Sequence, residues 1–325
     1  MWLKHKMFVS LLCLAVLCPS VYDAASVVEW CYHKPTCDYT TWPKIASQYC
    51  NGSKQSPINI VTSDVKANPN LTSFIFTGFD DNSTFLSIGN VGDSVVVNLD
   101  SDVMKIKGGD LPGTYTTAQF HLHWGNGTSV NGSEHTVDGK QYPLELHIVN
   151  VHSKYNGSVK AAVTANDPSG LAVLGFFIEG TNVASGSKSW EILTSFLSNI
   201  TNSGDTTVDI MNKITMDSLL EGVNRSKYYR YEGSLTTPNC NEIVIWTVFK
   251  DTIKVNYELI RLFSTTVNFK NTSPNIFITK NFRGVQGMNG RIVTSQVTST
   301  APSSGIASTF CILMKLFTFL LTMFD

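Results

Sequence analysis

Chemistry is concentrated in the string Gln119-Phe120-His121-Leu122-His123-Trp124-Gly125. Alternate residues of a strand project from one face, so His121 and His123 point into one site, about 7 Å apart along the backbone. Two imidazoles at that spacing suit Zn²⁺. A structural zinc site closes on four protein ligands, whereas a catalytic one keeps three and leaves a place for water. A third imidazole comes from Glu145-Leu146-His147, on a second strand able to pair antiparallel with the first. His152 is the rival, but its flanks carry no matching partner. Taken alone, His-x-His on a strand is more often a surface or core pair than a ligand pair. The surroundings favour a metal. Gln119 lies two residues from His121, and Glu145 two from His147, on the same strand faces. Each is placed to take the spare imidazole N–H and so to choose which nitrogen faces an ion.

Positioning these residues requires strands, and the sequence supplies them. Phe74 to Phe76, Phe85 to Ile88, Ser94 to Leu99, Met104 to Lys107, Thr114 to Trp124, Leu144 to His152, Ala172 to Ile178 and Glu242 to Phe249 are short and rich in Val, Ile, Phe and Thr. Gly, Asn or Asp turns separate them, which reads as antiparallel sheet. The best helical stretches are Trp190 to Ser198 and Val255 to Phe263. The fold class expected is mainly β: one domain around a central, twisted, mostly antiparallel sheet of about ten strands, with a few short peripheral helices.

A chain of 325 residues, 42% hydrophobic and 11% aromatic, can bury a large core. Lys plus Arg is 24 and Asp plus Glu is 25, a net charge of −1, which leaves no electrostatic drive toward nucleic acid. Charged residues are only 15%; Ser, Thr, Asn and Gly carry the polar share, as suits an exported β-rich surface. No repeat or low-complexity linker interrupts the middle of the chain.

Both ends read as processing signals. Lys4-His5-Lys6 precedes an apolar run from Met7 to Leu17, followed by Cys18-Pro19-Ser20 and Ala24-Ala25-Ser26. Such a run is too short to cross a bilayer of roughly 30 Å but fits a signal-peptide core. Residues 1–25 are assigned to it, with cleavage between Ser20 and Ser26. Residues 26–294 form the folded domain. Residues 295–325 are a small, polar spacer and an apolar tail, Phe310 to Phe324, the pattern of a glycosylphosphatidylinositol attachment signal. Ser299, Ser303 and Ser304 are the candidate attachment residues, and Lys315 is an unusual residue within the tail.

Of seven cysteines, Cys13 and Cys18 leave with the signal and Cys311 with the tail. The four that remain imply two disulfides, with three possible pairings. Cys31 and Cys37 could close a small loop, which leaves Cys50 with Cys240. Asn-x-Ser/Thr acceptors begin at Asn51, Asn70, Asn82, Asn126, Asn131, Asn156, Asn199, Asn224 and Asn271, and several are expected to carry glycan.

QFHLHWG, GSEHTVDG at Gly132 to Gly139, ELHIVNVH at Glu145 to His152 and YYRYEGSLTTPNC at Tyr228 to Cys240 together resemble an α-class carbonic anhydrase. QSPINI at Gln55 to Ile60 and NFR at Asn281 to Arg283 extend the likeness over nearly the whole domain. WCY at Trp30 to Tyr32, the cysteine set, VIWTVF at Val244 to Phe249 and the tail are most similar to the membrane-attached, type IV-like members. The resemblance implies a zinc set of His121, His123 and His147, with water or hydroxide as fourth ligand and the Asn281 carbonyl orienting His123. It implies that Thr236 accepts the hydroxide's proton and hands its own to Glu134, which aims a lone pair at CO₂. It also implies a pocket of Val149, Val173, Leu235 and Trp246, with Thr237 on the polar side. Read without the resemblance, these apolar residues are ordinary core.

Two departures stand out. Fast members of the family export the proton through a histidine near the cavity mouth. Aligning Gly89 to Ser94 with that segment puts Asp93 there. A carboxylate near pKa 3.9 is a poor acceptor from a donor near 7, so turnover limited by proton export and helped by buffer is expected. Gly284 and Gly287 stand where the family usually has proline. The function implied is zinc-dependent, reversible hydration of CO₂ to bicarbonate at the outer cell surface by a lipid-anchored enzyme. Sulfonamide and anion inhibitors follow from the family, and bicarbonate or proton transporters are candidate partners. A catalytically weak binding or adhesion module and a zinc esterase are the alternatives. The first is opposed by the presence of all three histidines.

Overall fold

The computed structural model describes residues 29–182, 188–204, 207–270 and 272–297. The expected signal peptide, Asn271, Ser299, Ser303, Ser304 and the apolar tail lie outside these residues. Seven strands carry the site: β1 (Phe85–Asn90), β2 (Val95–Leu99), β3 (Tyr115–Trp124), β4 (Leu144–His152), β5 (Leu171–Thr181), β6 (Tyr228–Gly233) and β7 (Val244–Phe249). Their order across the sheet is β1-β2-β3-β4-β5-β7-β6. Every neighbouring pair is antiparallel except β5 with β7.

Among the described residues, shorter strands extend this path to a sheet of 13. Three of them, Lys66–Ala67, Val208–Asp209 and Thr294–Ser295, are two-residue pairings at its edges, so ten strands have four residues or more. Asn59–Ile60 and Thr136–Val137 form a separate parallel pair. Of the helices, Lys188–Ser195 and Tyr257–Thr266 fall on the stretches read as helical. Among the described residues no helix is long and apolar enough to cross a membrane.

The differences from the sequence reading are local. The stretch beginning at Val255 is not wholly helical: Ile253–Asn256 runs parallel to the end of β5. The helix starts one residue later, where the Asn256 side chain accepts from Glu258 N, an N-cap. Strand β6 was hidden in Tyr-Tyr-Arg-Tyr-Glu-Gly, whose polar residues mask a segment buried at all but Glu232. Helix Val159–Ala165 was also missed. It carries the Ser158 cap, which accepts from Ala161 N, and a left-handed Asn166 at its end.

Apolar side chains pack on both sheet faces. On one, Phe120, Leu122, Leu146, Ile148, Leu174 and Phe176 join a large buried cluster with the two long helices. On the other, Val149, Val173, Phe177, Trp246 and Val248 form a second. A bulge decides which face receives the histidines. Thr117 pairs with Asn150 and Gln119 with Val149, so Ala118 is an extra residue. Tyr115 and Phe120, an odd number of residues apart, can therefore both enter the large cluster. Strict alternation from Tyr115 would instead have sent His121 and His123 into that core.

Cys31 bonds Cys37 and Cys50 bonds Cys240. The second closes a separation of 190 residues, which chain entropy values at roughly 5 kcal/mol. The eight acceptor asparagines among the described residues are all exposed.

Candidate metal centre

Strands β3 and β4 place His121 opposite His147 and His123 opposite Glu145. The three imidazoles of His121, His123 and His147 offer nitrogens that lie within 4.8 Å of one another. Their ring centroids are 4.6 to 5.3 Å apart. One nitrogen of each ring is already bonded. His121 Nδ1 is 3.0 Å from Gln119 Oε1, His123 Nδ1 is 2.7 Å from the Asn281 carbonyl oxygen, and His147 Nε2 is 2.8 Å from Glu145 Oε1. This leaves His121 Nε2, His123 Nε2 and His147 Nδ1 for the shared space. His123 Nε2 and Glu134 Oε2 are buried there without a hydrogen-bond partner, though they approach each other at 3.4 Å.

For His121 and His147 the surroundings favour the neutral form. Burial, then repulsion from His123 and His147, holds His121 well below the usual imidazole pKa. Burial also lowers His147, against the opposing pull of Glu145. Neutral imidazoles with a fixed tautomer are the form in which histidine binds zinc. A structural closure would need a fourth protein ligand. Among the described residues no fourth residue joins His121, His123 and His147 in one ligating group, although Glu134 Oε2 stands 3.4 Å from His123 Nε2, so the donor set suits a catalytic ion.

Asn281 ties the centre to the neighbouring loop. Its carbonyl holds His123, its Oδ1 accepts from Trp124 N at 2.7 Å, and its Nδ2 donates to Asp93 O and Leu122 O. Asp93 thus lies on the wall of a ≈160 Å³ cavity with His121, His123, Gln119 and Thr237. Burial raises its carboxyl above the ordinary value, partly offset by Lys270 and His123. Trp30 and Tyr32, beside the Cys31–Cys37 loop, line the same cavity, as do Val91 and Val96. None of these four was singled out from sequence as a cavity residue.

Val149, Val173 and Trp246 are side-by-side partners across β4, β5 and β7 and are buried, with Leu235 packed against them. Trp246 also packs edge-on to His147 at 4.8 Å and donates from Nε1 to Ser234 O. Thr236 is buried. Glu134 Oε1 accepts from Arg283 N at 2.8 Å. Arg283, from NFR, is itself buried and spans to Gln55 Oε1 and Ser56 O of QSPINI. His152, the rival ligand, sits opposite Tyr115 at the far end of the ladder, and its Nδ1 accepts from Lys154 N. Gly284 faces Tyr39, where an added Cβ would stand 2.8 Å from the ring, so a larger residue there would need that exposed ring to move.

Sequence reasoning missed the layer behind Glu145. Its Oε1 takes both His147 Nε2 and His135 Nδ1, at 2.8 and 2.7 Å. Its Oε2 accepts from Glu134 N and His135 N. His135 Nε2 reaches Tyr231 OH at 2.6 Å, and that hydroxyl reaches Ser56 Oγ. Burial alone would raise the Glu145 carboxyl, but the attraction and hydrogen bonds of the His135 and His147 rings hold it well below the usual range. Gly175, opposite His147 on β5, makes room for it: a Cβ there would lie 3.1 Å from Glu145 Oε1. The signal available in sequence was the adjacency of His135 to Glu134.

Comparison with known proteins agrees with this geometry. A family model described as eukaryotic-type carbonic anhydrase matches residues 37–297. Carbonic anhydrase 4 of Rattus norvegicus is 38% identical over 264 residues, 80% of this chain and 81% of that protein. Carbonic anhydrase 6 of Bos taurus is 35% identical over 281 residues, covering 86% and 84%. Carbonic anhydrase 12 of Homo sapiens is 35% identical over 294 residues, covering 89% and 79%.

Proposed function

The chain belongs to the eukaryotic-type carbonic anhydrase family, and from that premise we propose that it hydrates CO₂ reversibly to bicarbonate at the outer cell surface, with one zinc held by His121, His123 and His147. One observation carries the reading: three imidazoles, two buried and one half-buried, converge, each with its second nitrogen already fixed. Zinc bound there would acidify a water molecule, making a nucleophile available near neutral pH.

The protein's own residues do the rest. Gln119, the Asn281 carbonyl and Glu145 fix the tautomers, so the other three nitrogens are the ones that would hold the ion. Arg283 N holds one oxygen of Glu134, which leaves Oε2 to accept a proton from Thr236. Thr236 then orients the nucleophile toward the substrate carbon. Val149, Val173, Leu235 and Trp246 give an uncharged substrate an apolar place to wait, and Thr237 marks the polar side. Asp93 occupies the place of a proton exporter. Its carboxyl, even raised by burial, is a weaker match to the departing proton than imidazole.

Residues 1–25 as a signal peptide, 26–294 as the catalytic domain and 295–325 as a lipid-attachment signal complete the reading, with Ser299, Ser303 or Ser304 as the anchored residue. Two disulfides and eight exposed glycan acceptors support export. Purified protein assayed for CO₂ hydration and for ester cleavage, each with and without a zinc-binding sulfonamide, tests the activity. Sulfonamide-sensitive CO₂ hydration supports the enzyme, ester cleavage alone favours an esterase, and neither activity leaves a binding module. Release from cells by a phosphatidylinositol-specific phospholipase tests the anchor, and activity that stays with the membrane contradicts it.

A further inference from the structure

We propose that a second cavity, at the β6 edge of the sheet, is a binding site for a small oxyanion or carboxylate held by Arg230. This cavity measures ≈460 Å³ and is lined by Asp110, Arg230, Glu232, Ile245, Arg291 and Thr294, among others. It shares no lining residue with the cavity at the histidines, and nothing in the proposed hydration chemistry uses it.

Arg230 is the reason to expect a ligand. It projects from the same face of β6 as Glu232, opposite Thr247 and Ile245 on β7, and is only 9% exposed. Its Nε and Nη2 both donate to a single acceptor, Thr247 Oγ1, at 3.2 and 3.0 Å. Its guanidinium lies over Phe74 and Tyr228, 5.7 and 5.6 Å from their ring centroids. The two rings stand side by side, their centroids 5.2 Å apart, so they cover one side of the guanidinium and leave its N–H edge able to meet a partner. Among the described residues, no carboxylate lies within ion-pair distance of it.

The other four arginines each have an ion pair or several acceptors, although Arg283 Nε is buried without a partner. Arg225 pairs with Asp217 and Arg261 with Glu258. Arg283 donates to Gln55 Oε1 and the Ser56 carbonyl. Arg291 donates to the carbonyls of Gln55, Gly287, Met288 and Glu232. Arg230 alone is buried with one shared hydroxyl for company. A guanidinium keeps its charge in such a place, and an uncompensated buried charge is costly. A ligand with two oxygens would match its fork and supply the missing counter-charge.

The rest of the lining agrees with an anion. Arg291, its donors already committed, adds a second positive charge to the rim. Of the two acids, Glu232 is engaged by Lys54 Nζ at 2.8 Å. Asp110 is exposed, stands beyond ion-pair distance and is the one internal competitor for Arg230.

The test uses inorganic phosphate, titrated by calorimetry into the zinc-loaded full chain, its Arg230→Met variant and its Asp110→Asn variant. Because Arg230 and Asp110 lie outside the histidine cavity, any phosphate bound at the metal is common to all three and cancels. Arg230→Met is expected to lose the wild-type phosphate site, with at least a tenfold weakening. Asp110→Asn is expected to bind at least threefold tighter, and this exposed change keeps the test alive should Arg230→Met fail to fold. Wild-type affinity retained in Arg230→Met, unchanged or weaker binding in Asp110→Asn, or no such site in the wild type would each overturn the proposal. A failure here leaves the hydration reading standing, since that rests on a different cavity.

Discussion

His121 and His147 are direct register partners across the β3–β4 ladder, with ring centroids 5.3 Å apart and planes nearly perpendicular at 88°. A one-residue slip of either strand would turn one ring to the opposite face. The metal centre therefore depends on strand register, and on the buried partners that fix each ring, as much as on the histidines themselves.

Glu145→Gln tests those partners. The carboxylate receives two imidazole and two backbone N–H groups, and an amide cannot accept all four. Zinc affinity is expected to fall about 10–100-fold, measured by competition with a chelator. Unaltered affinity would show that Glu145 has no hold on the metal site.

Gly175→Ala presses on the same carboxylate from β5. The new Cβ would stand 3.1 Å from Glu145 Oε1, and that oxygen cannot retreat because two imidazoles hold it. A loss of about 1–3 kcal/mol in urea unfolding is expected, together with weaker zinc binding. A variant as stable as the wild type would mean that the carboxylate has slack.

An Asp93 carboxyl at the proposed proton-export position has a kinetic consequence. Wild-type turnover is expected to rise with buffer concentration. Asp93→His should turn over faster in dilute buffer and depend less on buffer. Rates independent of buffer in the wild type would refute an export limit at this position.

Asp167 gives a pH signature away from the site. The Lys154 ammonium at 2.7 Å, then the Ser169 N–H and the Tyr155 and Ser169 hydroxyls, hold its carboxyl down to about 2 against a weaker effect of burial. A depressed carboxyl stabilises the fold above its unfolded pKa, and that stabilisation disappears as pH falls toward the folded value. Asp167→Asn should cost about 0.5 kcal/mol near neutrality. The difference from wild type should shrink between about pH 4 and pH 2. A gap that persists at pH 2 would assign the cost to packing instead.

The metal centre was legible because its signals are short-range: alternate residues on two strands, each histidine with a polar neighbour two positions away. The longer strands of the central sheet were legible for the same reason, except β6, where Tyr229, Arg230 and Tyr231 bury polar side chains that read as surface, and Ile253–Asn256, which runs straight into a helix. What escaped depends on long-range geometry. The bulge at Ala118 appears only when β3 is set against β4. The chain from Glu145 through His135 to Tyr231 and Ser56 joins segments up to 175 residues apart. Trp30 and Tyr32 reach the cavity wall from the far N-terminal side of the domain, which no spacing rule announces.

Zinc content and CO₂ hydration measured by stopped flow on one sample, as metal is returned to chelator-treated protein, is the most direct test. Activity in the wild type should rise from zero and level off at one zinc per chain, while His147→Ala should neither retain the ion nor turn over at any zinc concentration near stoichiometry. Hydration by metal-free protein, or full activity in folded His147→Ala, would contradict a reaction centred on these three imidazoles.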